Sequence, residues 1–342
     1  MSTTAQFPAG PPRGELAPVG GSDPRSGGAW RLNLVGAGRV GKTLARLWHL
    51  QGHLQIQDIL TTSPASAAAA IEFIGAGNAI SGLANMRPAD IWMIATPDAQ
   101  IADMARQLAE VQSSHAEPGG LGGRALCSVS PARFAGSSLT YAEHPATQAP
   151  SPCTPLVFHG SGALGSDLLA PLRDRGWRTA SAHCILSFAD PETAVAQFAG
   201  TACALEGDAT ACAHLRTAFS AMGAQCFEVA SADKLLYHAA AVFATNFVPV
   251  LQSVAEDLWR TTGVPQPIIE TLRAQLLANS VANITRLGPQ GALTGPAARG
   301  DLPAINRQAA AVAAWSADAG AAYGSLSALA LQLAKAAPAK NS

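Results

Sequence analysis

Charged residues are scarce in this sequence. Lysine and arginine number 22, aspartate and glutamate 23, so the formal net charge is −1, and charged residues make up only 13% of the 342 residues. Proteins that bind nucleic acid need a basic excess to neutralise phosphates, so we expect no nucleic-acid partner. Hydrophobic residues make up 48% of the chain. A weakly charged, apolar surface favours self-association.

The cysteines and histidines lack the spacing of a metal site. The 6 cysteines include no C-x-x-C pair, and the 8 histidines form no close cluster in sequence, so we expect no bound metal.

Residues 1–28 are rich in Pro, Gly and Ser and have no apolar segment of the signal-peptide kind. We expect a disordered leader there and a cytoplasmic protein.

No uninterrupted apolar run reaches the length of about 18 residues that is typical of a membrane-spanning helix. We therefore expect no spanning helix and no membrane partner.

At about 150 residues per domain, the length of 342 residues predicts two domains.

Short apolar strands alternate with helices over the first two thirds of the chain. Strands are predicted at residues 31–35, 54–60, 90–95, 156–159, 177–182, 202–205 and 225–229. This alternation predicts an α/β fold with a Rossmann-type, mostly parallel sheet that carries helices on both faces. Residues 113–154 exceed an ordinary connection of about 4–6 residues, and we interpret them as an insertion loop.

Strand signals stop after residue 230. Long helices are predicted at residues 233–262, 267–287 and 302–335, and Pro249 should kink the first of them. The predicted organisation is a leader at 1–28, a dinucleotide-binding domain at 29–230, and an all-helical substrate and dimerisation domain at 231–336.

A G-x-G-x-x-G motif, Gly36, Gly38 and Gly41, lies between the first predicted strand and helix. Gly36 permits the tight turn, Gly38 lets the backbone approach a pyrophosphate, and Gly41 lets helix and strand pack closely. The phosphates would lie at the helix N-terminus, beside Arg39 and Val40. The alternative is a glycine-rich turn that serves packing alone.

The residues after the second strand decide between the nicotinamide cofactors. An acidic residue there would bind the ribose diol of NAD, but the sequence has Thr61, Thr62 and Ser63, and we expect Asp58 to lie mid-strand. Hydroxyls together with Arg39 suit a 2′-phosphate better. We therefore expect NADP, with NAD as the alternative.

Polar residues follow two further strands, at the sheet edge where ligands of open α/β folds bind. Thr96, Pro97 and Asp98 should border the cofactor, and His159 and Ser161 should contact the substrate. Helix capping by Thr96 or Asp98 and ordinary turn chemistry at His159 and Ser161 are the alternatives.

Lys234 and His238 lie four residues apart, on one face of the first long helix, with Asn246 further along it. An amine and an imidazole there can anchor a substrate carboxylate and supply a proton, so we take Lys234, His238 and Asn246 as candidate catalytic residues. The alternative is a structural ammonium and a core histidine.

A polar loop between helices supplies the last candidates, Thr294 and Arg299. Arg299 can bind a substrate carboxylate or phosphate through two parallel hydrogen bonds. A purely structural ion pair of Arg299 with Asp301 is the alternative.

Taken in order, four segments resemble a family of uncharacterised bacterial Rossmann-like oxidoreductases with a C-terminal helical domain of unknown function. They are the glycine motif, the run from His159 to Leu164, the run Lys234-Leu235-Leu236-Tyr237-His238, and the run from Ala292 to Asp301. The resemblance covers about residues 31–112 and 155–330. The architecture is similar to that of relatives of 6-phosphogluconate dehydrogenase, pyrroline-5-carboxylate reductase and ketopantoate reductase.

Two departures from the family pattern stand out. His183-Cys184 replaces the usual His-Pro, and the insertion has no counterpart. In hydroxyacid dehydrogenase relatives an Asn follows the helical Lys by four residues, whereas His238 stands at that spacing here.

The resemblance implies NAD(P)-linked hydride transfer and a homodimer built through helical domains. We expect an NADP-dependent dehydrogenase or reductase for a small carboxylate-bearing carbonyl, hydroxyl or imine compound, with the active site in the cleft between the domains. The alternative function is a non-catalytic NAD(P)-binding sensor or scaffold.

Overall fold

A computed structural model describes residues 30–114 and 154–336. The leader predicted at 1–28 lies outside the described residues, as does nearly all of the insertion predicted at 113–154. The chain divides into two compact units, one ending at Tyr237 and the other beginning at His238. The boundary predicted from the sequence, between residues 230 and 231, lies seven residues earlier.

The first unit contains an 8-stranded sheet in the order β3-β2-β1-β4-β5-β6-β7-β8. The strands are β1 (Trp30–Val35), β2 (Leu54–Leu60), β3 (Asn78–Ile80), β4 (Ile91–Ile94), β5 (Leu156–His159), β6 (Arg178–Cys184), β7 (Ala202–Gly207) and β8 (Gln225–Glu228). All neighbouring pairs are parallel except β6 and β7. The predicted mostly parallel sheet is confirmed.

Helices cover both faces of this sheet. They are α1 (Arg39–Gln51), α2 (Pro64–Ile74), α3 (Asp98–Ser114), α4 (Ala170–Arg173), α5 (Pro191–Gln197) and α6 (Ala209–Ala221). Strand alternation sends Met93 into one hydrophobic cluster and its neighbours Trp92 and Ile94 into the other. The two clusters are therefore the cores of the two faces.

The remaining helices are α7 (Lys234–Ala241), α8 (Phe247–Thr261), α9 (Gln266–Ala292), α10 (Gly295–Arg299), α11 (Leu302–Trp315) and α12 (Ala317–Lys335). A π-helical turn, Val242–Asn246, joins α7 to α8. It precedes Pro249, whose ring cannot accommodate a regular helical turn on its N-terminal side. The predicted irregularity therefore exists, a few residues earlier than expected.

Two predicted helix ends differ in outcome. α9 breaks at Gly288, which has a φ of 70°, so the end predicted at residue 287 is confirmed. The single helix predicted at 302–335 is wrong. It divides at Ser316, whose side chain accepts a hydrogen bond from the Ala319 N–H and starts α12.

The helical unit buries little of its own apolar surface. Between residues 238 and 336, only Ile269 and Ile305 are buried. Large apolar side chains are exposed on several of its helices: Phe243, Phe247, Val248, Val250, Leu251, Ile268, Leu276, Val281, Ile284, Leu287, Leu302, Trp315, Leu326 and Leu329. An isolated unit of this kind has no sufficient core.

One helical stretch in the described part of the chain, Ser231–Thr261, is long and apolar enough to cross a membrane by length and composition, with a hydropathy of 1.3. This helix was not expected, because the segment contains no uninterrupted apolar run of spanning length. Polar residues such as Asn246 and Gln252 interrupt this segment without lowering its average below that of a spanning helix.

Candidate functional site

Two glycines of the turn between β1 and α1 are required by close packing. Gly36 has a φ of +88°, and a Cβ there would lie 2.8 Å from the carbonyl carbon and oxygen of Ala95. A Cβ on Gly41 would lie 2.8 Å from the Gly36 oxygen and 2.9 Å from the Ala95 Cβ. The turn, the helix and the end of β4 therefore touch through backbone and small side chains.

Gly38 is different because nothing lies within 4 Å of a Cβ built on it. Its φ of −66° is open to any residue, and as the N-cap of α1 it gives the helix no side-chain cap. The first turn of α1 contains no acidic residue. Open space at an uncapped helix N-terminus, with its N–H groups and positive dipole end, fits a pyrophosphate.

The residues after β2 leave an exposed polar surface without a carboxylate. Thr61 donates a hydrogen bond to the Ser63 carbonyl oxygen at 2.8 Å, and Ser63 caps α2 by accepting one from the Ser66 N–H at 3.1 Å. Thr62 and Arg39 are exposed. These two side chains are the ones available to a ligand.

Asp58 is fully buried within β2, as expected. Its carboxylate lies 2.5 Å from Nη2 of Arg87 and also accepts a hydrogen bond from the Arg87 N–H. This pairing neutralises Asp58 inside the protein, so it is not an acid that could bind a ribose diol.

The end of β4 meets the glycine turn and the loop after β5. Thr96 Oγ1 is buried and has no hydrogen-bond partner among the residues that the structure describes. Ser161 donates a hydrogen bond from Oγ to Asp98 at 2.7 Å, while Pro97 is exposed. A Cβ built on Gly160 would lie 3.9 Å from Cγ1 of Val40, so this loop adjoins the start of α1.

His159 is fully buried at the end of β5, with both ring nitrogens engaged. Nδ1 accepts a hydrogen bond from the Ser161 N–H at 3.2 Å, so Nε2 carries the proton and donates to the Gly165 carbonyl oxygen at 3.0 Å. Burial lowers the pKa of His159. The imidazole holds the turn together, which corrects the expectation that it contacts substrate.

Lys234 lies against the same loop and is only 2% exposed. Its Nζ donates hydrogen bonds to the Ser161 carbonyl oxygen at 3.1 Å and to Ser181 Oγ at 2.8 Å. Burial lowers the pKa of Lys234, and the negative charges of Glu206 and Asp98 oppose that shift. The predicted proximity of Lys234 to the sheet edge is confirmed, and two of its three donors are already used.

Sequence reasoning missed the acid that balances this ammonium. Ser181 and Glu206 face each other across β6 and β7, and Ser181 Oγ donates to Glu206 at 2.9 Å. The N–H and hydroxyl of Ser166 donate to the same carboxylate at 2.8 Å and 2.9 Å. Lys234 and Glu206 thus form an ion pair relayed by one serine. A glutamate inside an otherwise apolar strand was the available signal.

Two other candidates belong to the second unit. His238 lies one turn after Lys234 on α7, and Asn246 ends the π-helical turn, where its Oδ1 accepts a hydrogen bond from Thr245 Oγ1 at 2.9 Å. Their contribution to a site at the sheet edge stays a prediction.

The segment predicted as a polar loop contains the short helix α10. Thr294 is its N-cap, and Arg299 is its exposed last residue. Asp301 caps α11 by accepting a hydrogen bond from the Ala304 N–H at 3.1 Å. In this described segment Arg299 and Asp301 form no ion pair, so the structural alternative for Arg299 is wrong and its side chain remains accessible.

Comparison with known proteins supports the architecture. Residues 201–330 match the family model of a domain of unknown function, DUF2520. The crystal structure of protein TM1727 from Thermotoga maritima is 22% identical with a TM-score of 0.61, covering 89% of this chain and 98% of that one. This chain has a Rossmann-type fold, and its residues 201–330 are similar to DUF2520. The resemblance drawn from the sequence motifs is confirmed.

A second solved structure has the same fold. BF3122 from Bacteroides fragilis, described as a candidate NADP oxidoreductase, is 17% identical with a TM-score of 0.62, and the match covers 89% of this chain and 98% of that one. No curated protein sequence matches this chain.

The DUF2520 region contains Glu206 and Lys234 but not the glycine turn. No group of side chains in the described residues could hold a metal ion.

Proposed function

We propose that this protein is an oxidoreductase that binds a nicotinamide dinucleotide and prefers NADP. The observation that carries the proposal is the open space at Gly38, at an uncapped helix N-terminus without acidic residues. Gly36 and Gly41 pack too tightly to leave room for a ligand, so the open position is the one where the motif needs space for a pyrophosphate.

Named residues would hold each part of the cofactor. The N–H groups at the start of α1 would bind the pyrophosphate, and Arg39 with Thr62 would bind the 2′-phosphate. The unpartnered hydroxyl of Thr96, with Pro97 and Asp98, would border the nicotinamide side. When bound, the cofactor supplies or accepts the hydride.

Lys234 acts as a fixed positive charge beside the Ser161 loop. Because its ammonium is buried and donates to Ser161 and Ser181, it is held in place. A preorganised charge of this kind stabilises negative charge that develops on a reacting oxygen or nitrogen. Glu206 keeps the ammonium protonated and positioned through Ser181.

The substrate is a small carboxylate-bearing carbonyl, hydroxyl or imine compound. Accessible Arg299 and Thr294 would bind its carboxylate, while His238 and Asn246 would orient the reacting group and deliver a proton. This assignment requires the helical unit to contribute to the site.

The test is oxidation of NADPH with a panel of keto acids and cyclic imines. The decrease in NADPH absorbance measures the reaction. Turnover with one class supports the proposal. Tight NADPH binding without turnover on any compound would instead favour the sensor or scaffold function.

We further propose that a second copy of the chain covers the helical unit. Two buried residues, Ile269 and Ile305, are too few to stabilise six helices, and the exposed apolar residues need a partner. A homodimer through residues 240–330 would bury more than about 1,000 Å². A membrane is the competing explanation for Ser231–Thr261, but Lys234 at the start of that segment is tied to the sheet.

A further inference from the structure

Three cysteines lie side by side on adjacent strands of the sheet. Cys184 on β6 is the register partner of Cys203 on β7, and Cys203 is the register partner of Cys226 on β8. Register partners project from the same face of a sheet, so the three thiols form one row.

The first pair has the geometry of a cross-strand disulfide. The Ile185 N–H donates to the Ala202 carbonyl oxygen, which makes that neighbouring pair a hydrogen-bonded one. Cys184 and Cys203 are therefore a non-hydrogen-bonded pair, whose Cα atoms lie about 4.5 Å apart in antiparallel sheets. That spacing falls within the disulfide range. Their sulfur atoms are 3.3 Å apart, and both thiols are free.

Solvent reaches the row of thiols only at its Cys226 end. Cys184 and Cys203 are 5% and 0% exposed, whereas Cys226 is only partly buried. Cys226 Sγ lies 3.9 Å from the hydroxyl of Ser220 on α6, and no bulky side chain separates it from Cys203 in the register. An oxidant would therefore meet Cys226 first.

We propose that Cys184 and Cys203 are an oxidative modification site, which forms a disulfide through Cys226 by exchange with a small disulfide such as oxidised glutathione. This inference is independent of the proposed oxidoreductase function. Neither the glycine turn nor Lys234 takes part in it.

The relay has three exchange steps that balance. The Cys226 thiol attacks oxidised glutathione, forms a mixed disulfide and releases one reduced glutathione. The Cys203 thiol then attacks Cys226 Sγ, forms the Cys203–Cys226 disulfide and releases the second reduced glutathione. Finally the Cys184 thiol attacks Cys203 Sγ, which leaves a Cys184–Cys203 disulfide and restores the Cys226 thiol. Two electrons and two protons pass from the pair to glutathione.

The exchange is slow. The hydrogen bond with Cys203 and burial raise the pKa of Cys226, so little thiolate is present at neutral pH. The experiment therefore uses excess oxidised glutathione and long incubation.

The test uses the folded full chain in which Cys127 and Cys153, outside the described residues, are replaced by serine. Digestion with trypsin and a glutamate-specific protease separates the other four cysteines, because cleavage sites at Glu192, Glu206 and Arg216 lie between them. Mass spectrometry of the unreduced digest identifies each linked pair.

Expected results follow from the order of the steps. The parent protein gives a Cys184–Cys203 link with loss of two hydrogen atoms, and Cys226→Ser forms it at least tenfold more slowly. Cys184→Ala stops at the Cys203–Cys226 disulfide. Cys212→Ser, the matched control on α6, leaves the yield unchanged.

Two results would overturn the proposal. One is a stable glutathione adduct on Cys226 with no transfer to Cys203, in protein whose melting temperature shows that it is folded. The other is equally fast Cys184–Cys203 formation in Cys226→Ser, which would exclude the relay.

Discussion

Alanine substitutions in the glycine turn should separate the stability of the fold from cofactor binding. At Gly38 the backbone suits alanine and its methyl group meets nothing within 4 Å. The gain of about 0.4–1 kcal/mol from a stiffer unfolded chain is offset by alanine's weaker N-capping, so Gly38→Ala should change the stability of the fold by less than about 1 kcal/mol. At Gly41 the methyl group would lie 2.8 Å from the Gly36 oxygen, so Gly41→Ala should cost about 1–3 kcal/mol. In a domain of this size each kcal/mol shifts the melting temperature by about 2–4 °C.

NADP binding should respond in the opposite order, with the larger effect at Gly38. The methyl group of Gly38→Ala enters the space proposed for the pyrophosphate, so NADP affinity should fall at least tenfold, or about 1.4 kcal/mol. Gly38→Asp should abolish binding, since its carboxylate both fills that space and repels the phosphates. Calorimetry and thermal melts on the same samples measure both quantities. Wild-type NADP affinity in both Gly38 variants would refute the assignment of this turn.

The remaining predictions concern specificity, the ammonium and assembly. Arg39→Ala should weaken NADP binding about tenfold and leave NAD unchanged by calorimetry, because one charge contact with the 2′-phosphate is lost; equal losses would contradict the cofactor preference. Lys234→Met should lower turnover at least tenfold with unchanged NADP affinity, whereas the control Lys335→Met, at an exposed position, should leave turnover unchanged. A proportional loss of NADP affinity in Lys234→Met would contradict the role of Lys234 beside the substrate. Burial lowers the pKa of Lys234 from 10.5, so turnover should decline as pH rises through that lowered pKa. Glu206→Gln should move the decline in turnover to lower pH. The substitution removes one of the two negative charges that oppose the lowering of the Lys234 pKa, and Asp98 remains. An unchanged pH profile would count against the relayed ion pair. Light scattering at micromolar concentration should give a dimer, and Ile284→Glu should give a monomer, whereas Leu50→Glu, an exposed control on the first unit, should not; a monomeric wild type would exclude the proposed interface.

Local sequence signals were sufficient for most of the first unit. β2 and β5 have the predicted bounds. Apolar residues recur through β2 and fill most of β5, and polar or glycine residues follow each strand. The glycine motif has the expected geometry, since Gly36 and Gly41 are required by contacts with Ala95. β3 was missed because it is three residues long and mostly exposed.

The polar interior of the site could not be predicted in the same way. Helical spacing placed Lys234 on one face of the helix but did not show that it is buried. Its burial depends on contacts with the loop after β5 and with strand β6, both distant in sequence. The pairing of Ser181 with Glu206 depends on β7 running antiparallel to β6, which local propensity does not specify. For the same reason the row of cysteines across β6, β7 and β8 was not visible in their sequence spacing.

We propose that the turn at residues 36–41 binds the pyrophosphate of a nicotinamide dinucleotide. A crystal structure of the protein grown with NADPH would show whether it does. We predict electron density for the pyrophosphate at the N-terminus of α1, against Gly38, with the 2′-phosphate beside Arg39. A dinucleotide bound elsewhere, or none at saturating NADPH, would contradict the claim.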